Sequence, residues 1–332
     1  MTTSGATGHA AALGPGREFD RIRRIVAALG AHAGPLGDDC AVLSFPGGTV
    51  VASTDVSVEG VHFRREWLLL EEIGWRAAVS ALSDLAAAGA DAHGLLVALT
   101  VPAAASDDDV VAAMKGAGAA AAEAGTRIVG GDLSAGAAWS LAVTVLGSAT
   151  VPISRTGVRE GDGLWITGVL GGPRAALEAW RRGDLPGDTA RRAFARPAAR
   201  LQAGRWLARH GAVAMIDLSD GLGADATHLA AASGVAVVLD LERVPVAEDV
   251  ADEARRLGMP AEQFAAESGE EYELLVALPA EFGAEDARTF ESACGIPLTR
   301  VGEARAGAGV RAELRGRRVT LAGYDHFAAR RR

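Results

Sequence analysis

Gly37-Asp38-Asp39-Cys40-Ala41, answered by Ser53-Thr54-Asp55, is the stretch around which the rest of the chain reads. Two short apolar runs, Ala41 to Phe45 and Thr49 to Ala52, flank Gly47-Gly48 and predict a β-hairpin with carboxylates at both open ends. Carboxylates set side by side repel, so a fold keeps such a cluster mainly where a cation neutralises it. The device recurs at Ser83-Asp84, Gly130-Gly131-Asp132, Asp217-Leu218-Ser219-Asp220-Gly221 and Ser268-Gly269-Glu270-Glu271, each abutting an apolar run. Oxygen ligands without clustered His or Cys suit a hard ion such as Mg²⁺, which commonly holds phosphates. The pattern points to a magnesium and nucleotide site assembled from distant segments.

The hydrophobic periodicity around these clusters alternates strands with helices. Glu18 to Leu29 reads as a helix, and Trp67 to Ala88 as a long Ala-rich one with Ile73, Ala77, Ala81 and Asp84 on one face. Leu95 to Val101 reads as a strand, and Ser106-Asp107-Asp108-Asp109 as a capping box opening a helix through Ala124. Arg127 to Gly131 and Ser140 to Gly147 complete a first domain, 17–151, behind a flexible leader, 1–16. Pro152 to Gly163 is a Pro/Gly-rich joint, and 152–332 forms a second α/β domain. In it Asp217 ends a short strand, Leu222 to Ser233 is a helix capped from Ser219 or Asp220, and Tyr272 to Leu278 is a strand. The expected class is α/β (α+β), in two domains.

With 332 residues and 49% apolar content, the chain supports two well-developed cores. Its net charge of −9 argues against a nucleic-acid footprint as its main business. Cys40 and Cys294, the only cysteines, form neither a disulfide framework nor a zinc site. No apolar run is long enough to span a bilayer and no signal-peptide pattern opens the chain, so a cytoplasmic protein is expected. Lys115 is the only lysine, and no Ser or Thr follows it. A Walker-A loop is therefore excluded, and any ATP must be handled by arginine, backbone amides and metal ions.

Each cluster also has a bland reading. Gly-Asp-Asp is ordinary turn chemistry. An N-cap, worth roughly 1 kcal/mol, accounts for one of Asp217 and Asp220 but not both. A solvated face explains Asp84 poorly, because its neighbours are apolar. Arg155, in Ser154-Arg155-Thr156-Gly157, offers a planar fork to phosphate oxygens, and a linker arginine remains an equal reading from spacing alone. Gly168 to Gly172 lacks the Gly-x-Gly-x-x-Gly spacing of a dinucleotide fingerprint. His93 and His228 receive no role, and Trp75 and Met114 read as core.

These motifs, together with Val61-His62-Phe63, Leu82-Ser83-Asp84-Leu85-Ala86, Gly269-Glu270-Glu271-Tyr272-Glu273-Leu274 and Gly323-Tyr324-Asp325-His326-Phe327, occur in an order that resembles the thiamine-monophosphate kinase family. The resemblance runs from about Arg17 to Phe327. It implies the two-domain fold of aminoimidazole-ribonucleotide synthetase, with N-terminal sheets of two copies pairing into a dimer barrel. It implies an enzyme that passes the γ-phosphoryl group of ATP in line to thiamine monophosphate, giving thiamine diphosphate, with several Mg²⁺ ions. By the same resemblance Asp39, Ser53, Thr54, Asp55, Asp84, Asp132, Asp217 and Asp220 would contact magnesium. Gly131, Asp132, Arg155 and Ser219 would contact ATP, and His62, Glu270 and Tyr324 would line the thiamine phosphate site. No covalent nucleophile or general base is implied. The chain departs from the family pattern at Ala81, Leu133, Ser268 and Glu271, the first two of which remove polar groups near the implied metals. A sister enzyme of the same fold, a catalytically silent nucleotide-binding protein and a metal-dependent phosphatase are the competing readings.

Overall fold

Pro46 and Gly47 turn the chain where the hairpin was expected: Gly47 takes φ +110°, a conformation that suits glycine after proline in a tight turn. The turn is thus one residue earlier than Gly47-Gly48. The flanking strands β1 (Ala41–Phe45) and β2 (Gly48–Val58) pair antiparallel from Phe45↔Gly48 to Ala41↔Ala52. The computed structural model describes residue 12, residues 14–34 and residues 37–324. Most of the expected leader, and Asp325-His326-Phe327 of the tail motif, lie outside the described residues.

Helix α1 (Arg17–Leu29) precedes the hairpin, and α2 (Leu70–Ala87), β3 (Asp91–Pro102), α3 (Asp107–Glu123), β4 (Ile128–Gly136) and β5 (Ser140–Ser148) follow it. The strands form one sheet in the order β1-β2-β5-β3-β4, with only β3 and β4 parallel. The capping box at Ser106 forms as the sequence predicts, its hydroxyl accepting from Asp109 N while Asp109 Oδ2 accepts from Ser106 N, both at 3.2 Å. Strand β4 is longer than predicted and carries Asp132 in its interior rather than at its end.

After the joint come β6 (Gly163–Thr167), α4 (Gly172–Arg182), α5 (Asp188–Ala195), α6 (Leu201–Arg209), β7 (Ala214–Asp217) and α7 (Leu222–Ser233). Then follow β8 (Ala236–Asp240), α8 (Val250–Arg256), α9 (Ala261–Ala266), β9 (Leu274–Leu278), α10 (Ala284–Cys294), β10 (Leu298–Arg305), β11 (Gly309–Leu314) and β12 (Arg317–Val319). These strands make a second, mixed sheet in the order β12-β11-β8-β10-β6-β9-β7. It is covered on both faces, so β6 and β9 are buried throughout and apolar except for Thr167 at the end of β6. Side chains on one face, such as Trp165 and Val276, join the core shared with the first domain; Ile166 and Leu275 on the other pack with α7.

Helix α2 joins the halves. Its alanines and glycine let neighbouring backbones come close: a Cβ on Gly74 would sit 1.8 Å from Ala113 O in α3, and one on Gly204 in α6 would sit 2.0 Å from Ala86 O. Wedged between the first sheet, α3, α6 and β7, the helix is buried on nearly every side. Asp84 therefore lies at the seam between the two sheets, where an unpaired charge is costly. Among the described residues no helix is long and apolar enough to cross a membrane.

Candidate functional site

Three of the dispersed acids converge at this seam. Asp39 arrives from the approach to β1, Asp84 from the last turn of α2 and Asp217 from the end of β7. Each offers a carboxylate oxygen, and all three oxygens lie within 4.8 Å of one another. Asp39 is 9% exposed and Asp217 is 5% exposed. Ser53 donates to Asp84 Oδ2 at 2.5 Å from the inner face of β2. Asp55, two residues further on the same face, adds its charge to the fields on Asp84 and Asp217. A groove of about 310 Å³ bordered by Asp39, Ala41, Ala52, Ser53 and Thr54 opens beside the cluster.

Repulsion shows in the proton affinities. Burial and then the Asp39 charge push Asp217 up to about 8. Burial, followed by Asp55, Asp217 and Asp39, holds Asp84 well above the ordinary carboxylate range. Asp38, which the sequence reading placed in the carboxylate cluster with a turn as the bland alternative, rises to about 6 through burial and its neighbour Asp39. The Cys40 thiol donates to the Asp84 carbonyl at 3.3 Å and is pushed up by burial and the surrounding acids, which makes it a poor nucleophile.

A half-buried cation answers this charge. The Arg155 guanidinium clamps Asp39, with Nη2 to Oδ1 at 2.6 Å and Nε to Oδ2 at 3.2 Å, and the Arg155 amide donates to Asp38 Oδ1 at 3.1 Å. Burial works against the charged guanidinium, but the Asp39 carboxylate outweighs it and holds the group above its ordinary value. The linker reading of Arg155 thus gives way to a structural ion pair inside the site.

Beside the cluster, Asp217-Leu218-Ser219-Asp220 is stitched to the loop before β9. Ser219 O accepts from Glu270 N at 2.7 Å, and Leu218 O accepts from Glu271 N and Tyr272 N. Glu270 and Tyr272 take φ of +58° and +54°. Such left-handed backbone costs a non-glycine residue about 1–3 kcal/mol and persists only where its surroundings dictate it. The Glu270 carboxylate meets Arg76 Nη2 at 3.0 Å, and Arg76 is 5% exposed. Sequence reasoning passed over Arg76, although a lone charge within an apolar helix was the same signal that singled out Asp84.

The expected cap of α7 by Ser219 or Asp220 is replaced. Gly221 stands at the N-cap, and Asp225, 1% exposed, reaches back to accept from Asp220 N at 3.2 Å and Gly221 N at 3.1 Å. This leaves the Asp220 side chain out of the capping role. Asp220 borders a cavity of about 190 Å³ with Glu18, Phe19, Thr227, His228 and Tyr324. His228 packs against Phe19 with ring centroids 4.1 Å apart and planes tilted by 33°, and is pushed down to about 4 by burial and by Arg155.

Other expected residues turn their side chains away from the three converging carboxylates, although Thr54 still borders the groove beside them. Thr54 bonds Thr144 at 2.8 Å on the outer face of the sheet, because adjacent strand residues point to opposite sides. Asp132 stands in register with exposed Ala98 on that outer face and accepts from Ser134 Oγ at 3.0 Å. Gly131 is required by packing, since a Cβ there would lie 1.9 Å from Val97 O. His62 follows the end of β2 and accepts from Val58 N through Nδ1 at 3.0 Å. Of the departures, Ser268 and Glu271 serve the start of α4: Ser268 Oγ accepts from Arg174 N at 3.3 Å and Glu271 Oε1 from Gly171 N at 2.6 Å. Burial raises Glu271 to about 8. Ala81 is buried in α2, whereas Leu133 is exposed on β4.

Residues 37–149 match the family model for the AIR synthase related protein N-terminal domain, and residues 159–315 match that for the C-terminal domain. The chain is 34% identical over 279 residues to a thiamine-monophosphate kinase of Rhodopirellula baltica, covering 81% of this chain and 82% of that protein. It is also 34% identical over 304 residues to one of Methanopyrus kandleri, covering 90% of this chain and 92% of the relative. A solved structure of AaThiL complexed with AMPPCP and TMP shares the fold with a TM-score of 0.83 at 29% identity, over 94% of this chain and 97% of that one.

The raised affinity of Asp217 has a definite sign. A carboxyl that binds its proton more tightly folded than unfolded contributes stability below the unfolded pKa, near 4, and loses it as pH climbs toward 8. In a chelating buffer, Asp217→Asn should therefore melt no lower than wild type at pH 5. At pH 8 it should melt higher, by at least about 2 °C. Calorimetry across this range checks it, and a melting difference that does not change with pH would show that the cluster stores no repulsion.

Proposed function

The chain belongs to the thiamine-monophosphate kinase family, and we propose from that premise how its acidic seam carries the family reaction. The protein is an ATP-dependent kinase that phosphorylates thiamine monophosphate to thiamine diphosphate. The observation that carries the reading at the site is the convergence of Asp39, Asp84 and Asp217 from three distant segments. The donors are all oxygens, two of the three carboxyls are held well above their ordinary proton affinity, and Arg155 supplies one positive charge to the group. This set fits a hard dication such as Mg²⁺. Asp39, Asp84 and Asp217 would hold it, with Ser53 orienting Asp84 and with Asp55 and Asp220 at the margins. Magnesium there would screen the repulsion between an anionic acceptor and a triphosphate.

The acceptor phosphate is already an anion near neutral pH, so no protein base has to create the nucleophile. The work of the chain is alignment and charge. Arg155, half-buried and charged, is placed to exchange its carboxylate for phosphate oxygens when ATP enters, since the guanidinium fork suits both. Gly131 and Ser219 complete the nucleotide contacts in this reading. Glu270 and Tyr324, with His62 further along the rim, provide negative charge and an aromatic face for a cationic heterocycle. We place the domain division at 151/152, which the two separate sheets support, and a cytoplasmic setting follows from the use of ATP.

A homodimer is also proposed. The outer face of the first sheet exposes Val56 and Leu96, and Leu43 and Phe45 continue the same face into the hairpin, an apolar patch of the kind that marks a protein–protein contact. Pairing of two such sheets into a barrel would cover it.

Three measurements test these statements. With Mg-ATP, ADP should be released with thiamine monophosphate and not with free thiamine or aminoimidazole precursors, the product being thiamine diphosphate by mass. ATP bound without turnover would favour a silent nucleotide-binding protein. Replacing Arg155 with Met should have opposite effects on two ligands: Mg²⁺ binds more tightly in the absence of nucleotide, because a competing cation has left Asp39, while ATP weakens by about tenfold or more. Weaker Mg²⁺ binding in calorimetric titration would contradict the shared site. Light scattering should give twice the monomer mass, and Leu96→Asp should reduce it to one; a monomeric wild type would end the barrel proposal.

A further inference from the structure

Arg76 is used by none of the steps above, yet it is the cation buried most deliberately at the joint. It projects from α2, the helix that also carries Asp84, and crosses to the second domain. There Nη2 meets Glu270 Oε1 at 3.0 Å, Nη1 donates to the Phe194 carbonyl, and the guanidinium lies 3.8 Å from the centroid of the Phe194 ring. A guanidinium with a carboxylate, a carbonyl and an aromatic face around it is fixed in position. Its partner is the unusual one: Glu270 retains 28% exposure of its side chain while its backbone is held left-handed. A residue that only closed an ion pair would gain nothing from that backbone. It does gain from it if the carboxylate must be presented to something outside.

The surroundings indicate what that is. The Glu270 amide donates to Ser219 O at 2.7 Å, two residues beyond Asp217, so the loop that carries Glu270 adjoins the turn leaving the acidic seam, and Tyr272, 7% exposed, lies in the fields of both Glu270 and Asp217. We propose that Arg76 is a positioning residue for the phosphoryl acceptor: it orients Glu270 across the domain joint so that the carboxylate engages the cationic heterocycle of the substrate. The inference rests on the reading of the cleft as a thiamine monophosphate site. Lysine would preserve the charge but not the fork, the carbonyl bond and the ring stacking together, so Arg76→Lys keeps part of the function and Arg76→Met loses it.

Steady-state kinetics on the full-length enzyme, below the melting point of every variant, test this. Arg76→Met should raise KM for thiamine monophosphate about tenfold, the effect of removing one charge-assisted interaction with the substrate. KM for ATP should move less than about twofold, with Arg76→Lys between wild type and Arg76→Met. Glu270→Gln should raise the same KM, and adding Arg76→Met to it should produce no further rise, because the two act as one unit. The double variant also removes the orphaned carboxylate charge, so it keeps the comparison available if Arg76→Met alone folds poorly. Wild-type turnover combined with an unchanged KM in Arg76→Met, equal rises for both substrates, or additive effects in the double variant would overturn the inference alone. A wild type that leaves thiamine monophosphate unphosphorylated would overturn the functional reading and this inference with it.

Discussion

Mutual repulsion of the Asp39, Asp84 and Asp217 carboxylates is the constraint around which the rest of the molecule is arranged. Their oxygens lie within 4.8 Å of one another in a seam that excludes most water. Left alone, three charges so placed would drive protonation or separation. Arg155 meets part of the demand by clamping Asp39, and burial together with the remaining repulsion raises the proton affinities of Asp84 and Asp217. On the proposed reading a dication would relieve this repulsion, and the cost borne by the protein without one would be the counterpart of its affinity for the ion.

The packing of α2 makes that poise sustainable. Small residues bring the α3 and α6 backbones against the helix, and Trp75 donates to Pro197 O at 2.8 Å, so the helix cannot shift to let Asp84 escape. The first sheet supplies Ser53 and Asp55 from above, and β7 supplies Asp217 from the other domain. Relaxation at any one acid would require moving an element locked by its neighbours. Pre-organisation of this kind suits phosphoryl transfer, where the protein contributes placement and charge rather than covalent chemistry.

The second domain contributes by a different device. The 268–272 loop carries two left-handed non-glycine residues and is bonded to the Asp217–Asp220 turn through Ser219 O and Leu218 O. Its buried Ser268 and Glu271 turn away from the cleft to hold the start of α4. Two departures from the family pattern therefore fall on the scaffold side of the loop. Glu270, between Ser268 and Glu271, carries instead the carboxylate that meets Arg76 across the domain joint at 3.0 Å.

By itself the sequence determined the alternation of strands and helices, the capping box at Ser106, the hairpin at Asp39 and the set of acids to watch, because these depend on spacing between near neighbours in the chain. It also made the family recognisable, through the order of its motifs. It left undecided which acids meet. Asp39, Asp84 and Asp217 are brought together by the closure of two sheets on α2, whereas the Thr54 hydroxyl and Asp132 are directed to the opposite face by strand alternation in sheet pairings that are not local. The clamp of Arg155 on Asp39 and of Arg76 on Glu270 spans more than a hundred residues in each case, beyond the reach of any periodicity. Local propensity is written residue by residue; the partner of a buried charge is chosen only when the whole chain closes around it.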